Sequence, residues 1–321
     1  MPSGTTSRAT LLRLLGSEVA ALLSDSEVTE LYTVEGDPYL WADSLGAGRH
    51  RTTIELPPER AEMLLNAVAS IRGVSLGPGQ PVLSAELPEA LGRLQGFLSP
   101  VSRQPFFVWR RPAGRVLSLV ELVESGFVSA PAAELLREAV AGHETVLVVG
   151  GTGTGKTTFL NSLLGELARL CPRERVGILE DTPELRCSSP DFFALHTSEG
   201  FDLARLVKEA LRSSPSRLVV GEVRDQAALP MLDAWNTGHP GGLATLHANG
   251  CQEALLRLST LVERAHVPPQ PELIATTVQV LVHLTGTTRE TRRVAEIARL
   301  DGFHAQTGRF QIRTLFERSA P

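Results

Sequence analysis

Gly150-Gly-Thr-Gly-Thr-Gly-Lys-Thr-Thr158 decides how the rest of this 321-residue chain is read. Gly150, four intervening residues, then Gly155, Lys156 and Thr157 reproduce the spacing of a phosphate-binding loop. Glycines let such a loop turn tightly, so that successive backbone N–H groups point inward at phosphate oxygens. A lysine at this position places a compact positive charge at the outer phosphates, and a threonine hydroxyl is offered to Mg²⁺. The candidate nucleotide contacts are therefore Gly151, Thr152, Gly153, Thr154, Gly155, Lys156, Thr157 and Thr158. Thr157 is also a candidate metal ligand. The flanks agree. Thr145 to Val149 is an apolar run suited to a buried parallel strand, and Phe159, Leu160, Leu163, Leu164, Leu167 and Leu170 recur at helical spacing. A strand, a glycine loop and a helix N-terminus in succession form an anion site.

Only two lysines, Lys156 and Lys208, occur among 31 basic residues. A chain that otherwise uses arginine has lysine where the loop needs a point charge rather than a planar fork. The length fits two domains, each able to bury its own core. The net charge of −5 provides no overall basic field for nucleic acid. Cys171, Cys187 and Cys251 are scattered and lack metal spacing, so they read as reduced thiols of a cytoplasmic protein. No apolar run approaches the ~20 residues that span a bilayer, and any membrane association is expected to be peripheral.

The first third reads as a small α+β domain. Leu11 to Leu23 has an amphipathic helical pattern through Leu11, Leu12, Leu15, Val19 and Leu22. Strands are expected over 28–41 and 51–56, a helix from Pro57-Pro58-Glu59 to about Ile71, and further strands over 82–87 and 106–110. A Pro112-Ala113-Gly114 break puts a linker near 110–118 and divides the chain into domains 1–112 and 113–321. Beyond it, apolar strands alternate with amphipathic helices, as in a mainly parallel α/β sheet. Strands are expected at 176–179, 217–220, 243–246, 278–284, 293–300 and 310–316, with helices at 130–141, 202–212, 226–235 and 252–265.

In open α/β sheets, ligands lie beyond the carboxyl ends of the strands. Polar residues fall there on four strands: Lys156 and Thr157, then Glu180-Asp181, then Glu222, then His247. That set suits Mg²⁺-assisted cleavage of a phosphoanhydride, which needs a phosphate cradle, carboxylates for metal and water, and a contact to the outer phosphate. Gly221 stands where a metal-holding Asp is common, leaving Glu222 as the carboxylate for the metal shell or the attacking water. Glu180 is the second candidate for activating water. Each of these residues also has a plain structural reading: Glu180 or Asp181 as a helix cap, His247 and His239 as structural histidines, and Arg110-Arg111 as a solvated strand end.

The phosphate loop, the acidic box Ile178-LEDTPEL185, the strand end Gly221-Glu-Val-Arg224 and the box Gly238-HPGGLATLHAN249 occur in an order and spacing that resemble the traffic ATPases of type II and type IV secretion. Ala234-WNTGHPGGLATLHAN249, Glu30-Leu31 and Phe107-Val-Trp-Arg-Arg111 look most like the conjugal-transfer branch. No four-cysteine zinc insert of the pilus and type II motors occurs. The resemblance covers nearly the whole chain and is strongest from about 106 to 300. It implies an α/β protein with a RecA-like P-loop NTPase domain behind a smaller α+β domain. It also implies a homohexameric ring that hydrolyses ATP with Mg²⁺ at the inner face of the cytoplasmic membrane, with inner-membrane channel components as partners. Glu222, Glu180 and His247 would carry catalysis, with Glu222 and Thr157 at the metal. Arg110 and Arg111 would reach the nucleotide, with Arg93 and Arg103 as further arginine-finger candidates. A pilus or type II motor, a nucleic-acid translocase and a nucleotide switch are the alternatives, and a translocase is disfavoured by the acidic charge balance and the lack of a basic, aromatic groove.

Overall fold

A computed structural model describes residues 13, 15–44, 47–87, 91–111, 115–288 and 290–318. The chain forms two units, Met1–Arg115 and Val116–Pro321. The Pro112-Ala113-Gly114 break and positions 11, 12 and 14 of the first expected helix lie outside the described residues.

The first unit is a six-stranded antiparallel sheet, of β1 (Val28–Val34), β2 (Asp37–Ser44), β3 (Gly48–Glu55), β4 (Val82–Leu87), β5 (Gly92–Phe97) and β6 (Phe106–Arg110), in the order β3-β2-β1-β6-β5-β4. Two three-strand meanders meet at β1 and β6. They are joined through helix α2 (Pro58–Ile71), which has Pro58 in its first turn, where no amide hydrogen is missed. Its buried stripe of Ala61, Leu64, Leu65, Val68 and Ala69 has the spacing of one helix face. Leu65 comes so close to β5 that a Cβ on Gly96 would stand 2.3 Å from Leu65 Cδ2. Trp109 is fully buried, and its indole N–H donates to the Leu91 carbonyl at 2.7 Å. Helix α1 spans Ser17–Ser24 and buries Val19 and Leu23. Leu22, which the sequence pattern places on the buried face, packs half-buried against the same core as Leu23.

The second unit is an eight-stranded sheet: β7 (Val146–Gly150), β8 (Val176–Glu180), β9 (Phe192–His196), β10 (Arg217–Val223), β11 (Leu243–Leu246), β12 (Val280–Thr285), β13 (Arg293–His304) and β14 (Arg309–Glu317). The order is β14-β13-β12-β7-β11-β10-β8-β9, parallel from β12 to β9 and antiparallel through β13 and β14. Central strands carry apolar side chains on both faces because helices cover both. Val146 and Val148 face one core with α3 (Leu119–Glu124), α4 (Ala130–Ala141) and α5 (Lys156–Leu170). Leu147 and Val149 face the other with α6 (Leu203–Ala210), α7 (Ala228–Asn236), α8 (Cys251–Glu263) and α9 (Pro271–Thr277).

Strands β5 and β9 and helices α3 and α9 were not among the expected elements. β9 is a five-residue edge strand whose Phe192, Ala194 and His196 are exposed, the reverse of an apolar stripe. α3 and α9, of six and seven residues, are too short to show a helical period. α3 is marked instead by a capping box, in which Ser118 and Glu121 bond reciprocally.

Candidate functional site

The carboxyl end of β7 runs into the phosphate loop, and three parallel strands on one side of it end level with the loop. Glu180 is the last residue of β8, Glu222 lies one residue before the end of β10, and His247 follows β11 directly. A side chain at Gly150 would collide with its surroundings: a Cβ there would stand 2.7 Å from the Leu284 carbonyl on β12 and 2.6 Å from Thr154 Oγ1. Thr154 Oγ1 closes the loop by donating to the Gly151 carbonyl at 3.0 Å. Gly155, at φ 92°, takes the left-handed conformation that turns the loop into α5. The resulting helix start favours anions.

Lys156 is 8% exposed, and its ammonium donates to the carbonyls of Gly150 at 3.0 Å and Gly151 at 2.9 Å. Both ring nitrogens of His247 lie 3.4 Å from it. His247 Nε2 is in turn 2.9 Å from Glu222 Oε1. Loop, histidine and carboxylate thus form one chain of contacts. Burial and the Lys156 charge push the His247 imidazole below its usual range, outweighing the opposite pull of Glu222. The ring is neutral near pH 7. The Glu222–His247 approach lacks the direction of a hydrogen bond, so Oε1 is a buried carboxylate oxygen with no hydrogen-bond donor among the described residues. Arg224 holds the other oxygen of Glu222 and lies 3.9 Å from Asp181. Burial raises the Asp181 carboxyl, and the hydrogen bond to Glu222 raises the Arg224 guanidinium.

Glu180 is only 4% exposed, and its Oε1 accepts from the amides of Glu184 at 3.0 Å and Leu185 at 2.8 Å. It is therefore the anchor of the acidic box as well as a member of the site. Its stem crosses Gly221: a Cβ on residue 221 would stand 3.0 Å from Glu180 Cγ. That close approach explains why glycine, and not an aspartate, precedes Glu222. The Thr157 hydroxyl, in the first turn of α5, makes no hydrogen bond among the described residues. An orphaned buried carboxylate oxygen and a free hydroxyl are hard oxygen donors, the kind Mg²⁺ takes. The site fits that ion.

Of the candidate arginines of the first unit, Arg93 and Arg110 sit on its sheet, Arg103 in the connection between β5 and β6, and Arg111 directly after β6. Arg110 pairs across the sheet with Glu30 on β1 and Arg93 on β5, and its guanidinium is 3.9 Å from the Glu30 carboxylate. Arg103 is exposed, 3.9 Å from Glu35. Arg111 is engaged in its own unit. It donates to the carbonyls of Leu22 at 3.3 Å, Val28 at 2.9 Å and Asp25, and burial lowers its guanidinium from the usual value.

Two arginines of the second unit belong to the site's architecture and carried no role in the sequence reading. Arg224 was legible only as part of a box. Arg292, between β12 and β13, donates through Nε to the Gly153 carbonyl at 2.7 Å, and nothing in its local sequence announces this.

The box Gly238-HPGG242 serves the opposite edge of the sheet. A Cβ on Gly241 would stand 1.9 Å from Arg217 Nη1, and one on Gly242 1.9 Å from Trp235 Nε1. His239 Nδ1 sits 2.7 Å from the Pro215 carbonyl. Arg217, fully buried, donates to Glu174 at 2.6 Å and to the carbonyls of Gly241 at 3.1 Å and Val140 at 2.8 Å. His143, Cys171 and Glu174 cluster there with metal-ligand spacing, but Arg217 already neutralises Glu174. Burial, then the Glu174 charge, pushes the Cys171 thiol up, away from the thiolate a metal would need.

Residues 94–313 match the model of the type II/IV secretion system protein family. The probable conjugal transfer protein TrbB of Sinorhizobium fredii is 39% identical over 302 residues, spanning 94% of this chain and 91% of the relative. The conjugal transfer protein TrbB of Rhizobium radiobacter is 36% identical over 296 residues, 91% of each chain. Among solved structures, the Legionella pneumophila ATPase DotB superposes with a TM-score of 0.60 at 23% identity, over 88% of this chain and 78% of that one. The pilus retraction motor PilT with bound ADP gives 0.59 at 18% identity, over 94% of this chain and 83% of that one. At those identities, the structural likeness concerns the fold alone.

Proposed function

The chain belongs to the type II/IV secretion system protein family, alongside conjugal transfer TrbB proteins, and we propose that it is an Mg-ATP-hydrolysing motor of a type IV secretion or conjugal transfer apparatus. The observation that carries the reading is the chain of contacts Lys156–His247–Glu222 beside Glu180 at the carboxyl edge of the sheet. Binding alone needs the loop and the lysine. A neutral histidine against a buried, unpaired carboxylate oxygen is what an attacking water needs.

The core is a RecA-like P-loop domain that holds the triphosphate by the amides of Gly151 to Lys156, with the Thr158 backbone at the start of α5. Glu222 and the Thr157 hydroxyl would hold Mg²⁺, which neutralises charge building on the phosphates when bound. Glu222 Oε1 orients water toward the outer phosphate. Glu180 holds the acidic box in register and stands behind Glu222 as the second carboxylate. His247, neutral and touching Lys156, reports whether the lysine is on its own loop or on a phosphate. Subunits close head to tail into a homohexamer at the cytoplasmic face of the inner membrane, docked on channel proteins. Arg110, Arg111, Arg93 and Arg103 are the candidates for the arginine that reaches the nucleotide of a neighbouring subunit. Among the described residues no helix is long and apolar enough to cross a membrane.

Light scattering with and without Mg-ATP, alongside the ATPase rate, tests this reading on wild type, Lys156→Ala and Glu222→Gln. We expect a ring of about six subunits, with turnover reduced by at least ~100-fold in both variants. Glu222→Gln should still assemble. A nucleotide-binding monomer that never turns over would sink the motor reading in favour of a switch.

A further inference from the structure

The order of the strands around the phosphate loop decides on which side the nucleoside end of a bound nucleotide lies. Glu180, Glu222 and His247 all lie on the β11–β10–β8 side of β7. A triphosphate with its outer phosphate toward them must project its nucleoside toward the other side, where β12 is the neighbour.

Two side chains wait on that flank. Strand β12 runs parallel to β7 with Leu284 opposite Gly150, so its turn into β13 emerges beside the loop. The turn is closed by Thr288, whose carbonyl accepts from the amides of Thr291 at 3.2 Å and Arg292 at 2.9 Å. Gly286, at φ 79°, permits the closure, since a Cβ there would stand 2.0 Å from the Thr291 carbonyl. Arg292 is thus fixed at its backbone and, through Nε, on Gly153. Its two Nη groups have no partner among the described residues. Phe127, from the segment between α3 and α4, is held alongside because its carbonyl accepts from the Val294 amide at 2.7 Å. A Cβ on Gly155 would stand 3.7 Å from the Phe127 ring and 3.9 Å from Arg292 Cδ, so both side chains flank the same point of the loop. The Phe127 ring is itself braced on Phe159 of α5, centroids 5.7 Å apart.

We propose that Phe127 and Arg292 form the seat for the base and ribose of the bound nucleotide, with Arg292 as its gripping residue. This rests on the nucleotide-binding reading above. A planar guanidinium with free Nη groups beside a braced aromatic face offers stacking and hydrogen bonds to a nucleoside, which phosphate alone cannot use. The Arg292–Gly153 bond then couples the nucleoside seat to the shape of the phosphate loop.

Calorimetric titration of the full chain with β,γ-imido-ATP and with inorganic tripolyphosphate, each with Mg²⁺, separates the two ends of the ligand. Arg292→Ala should weaken the nucleotide about tenfold while tripolyphosphate changes by less than about twofold. Arg292→Lys, which keeps the charge but loses the fork, should recover part of the nucleotide affinity and none of any stacking. Phe127→Leu should show the same selectivity for the nucleotide. Because the comparison is made between two ligands on one protein, a partly unfolded variant lowers both equally. Equal weakening of both ligands in a variant whose thermal unfolding matches wild type, or no change in either, overturns the seat and leaves Arg292 as a loop brace or a bystander. A wild-type protein that binds tripolyphosphate as tightly as the nucleotide also overturns it. If wild type binds neither, the phosphate-loop reading falls first, and the seat with it.

Discussion

The two edges of the eight-stranded sheet carry charge in opposite ways. At the amino edge, Arg217 is wholly buried and every nitrogen of its guanidinium is used, on Glu174, Gly241 and Val140. His143 adds a second contact to Glu174 at 2.9 Å. At the carboxyl edge, among the described residues, Glu222 keeps a buried oxygen without a hydrogen-bond donor and the Thr157 hydroxyl has no partner, while His247 is held in its neutral form. A saturated network fixes one arrangement, whereas an unsaturated one is ready for a ligand. The same box serves both edges: its glycines admit Arg217 and Trp235, and its strand β11 delivers His247. The sheet is locked at one edge so that it can stay incomplete at the other.

Cutting the lock should cost the most. Arg217→Ala leaves Glu174 without its cation, and Gly241 and Val140 without their donor, inside the second unit. Removing one partner of a buried pair costs about 3–5 kcal/mol. Thermal unfolding of the variant should show a fall in Tm of about 6–20 °C. Arg217→Met, paired with Glu174→Leu, replaces the pair by apolar volume and should recover much of it. If Arg217→Ala melts like wild type, the amino edge is no lock. Lys156→Ala, at the other edge, should change Tm far less than it changes turnover.

What the sequence made legible follows this division. The phosphate loop, the parallel strands and the four strand ends could be read because each is local: a glycine spacing, an apolar run, a polar residue at its end. The lock could not. Arg217 reads as an ordinary first residue of a strand, and its partners Glu174, Gly241 and Val140 are distant in sequence. Arg292 is hidden for the same reason, reaching Gly153 across 139 positions. Conversely, the pairing of Glu180 with Gly221 shows how a local oddity carries long-range information. The glycine looked like a departure from the usual strand, and it is the seat of a neighbouring strand's carboxylate stem.

Gly221→Ala perturbs the carboxyl edge with one methyl group. Its Cβ would meet Glu180 Cγ at 3.0 Å, closer than ordinary contact, so Glu180 must shift or the strands must part. Overpacking of this size costs about 1–3 kcal/mol. Glu180 is bound to the Glu184 and Leu185 amides, so its shift carries the acidic box with it. We expect turnover to fall more than nucleotide affinity, because the loop itself is untouched. An ATPase assay beside a binding titration reads this directly, and an unchanged kcat would mean that Glu180 only holds the acidic box.

The smallest effect is the most diagnostic of why the carboxyl edge stays open. His247 is pushed below about 6.5, first by burial and then by Lys156. A group whose folded value is depressed favours the native state above its unfolded pKa and loses that contribution as pH falls through the folded value. At neutral pH the ring is uncharged and Lys156 can sit beside it. Below the folded value, a second cation appears 3.4 Å from the ammonium and 2.9 Å from Glu222 Oε1, and the new charge competes for the carboxylate that should orient water. Turnover should therefore decline on the acid side with an apparent pKa under about 6.5. An NMR titration of the His247 ring in Lys156→Ala separates the two causes. Loss of the ammonium should move the histidine upward but leave it below a free imidazole, because burial remains. A titration identical to wild type would mean that Lys156 does not press on the ring, and the contact chain from loop to carboxylate would be broken at its middle member.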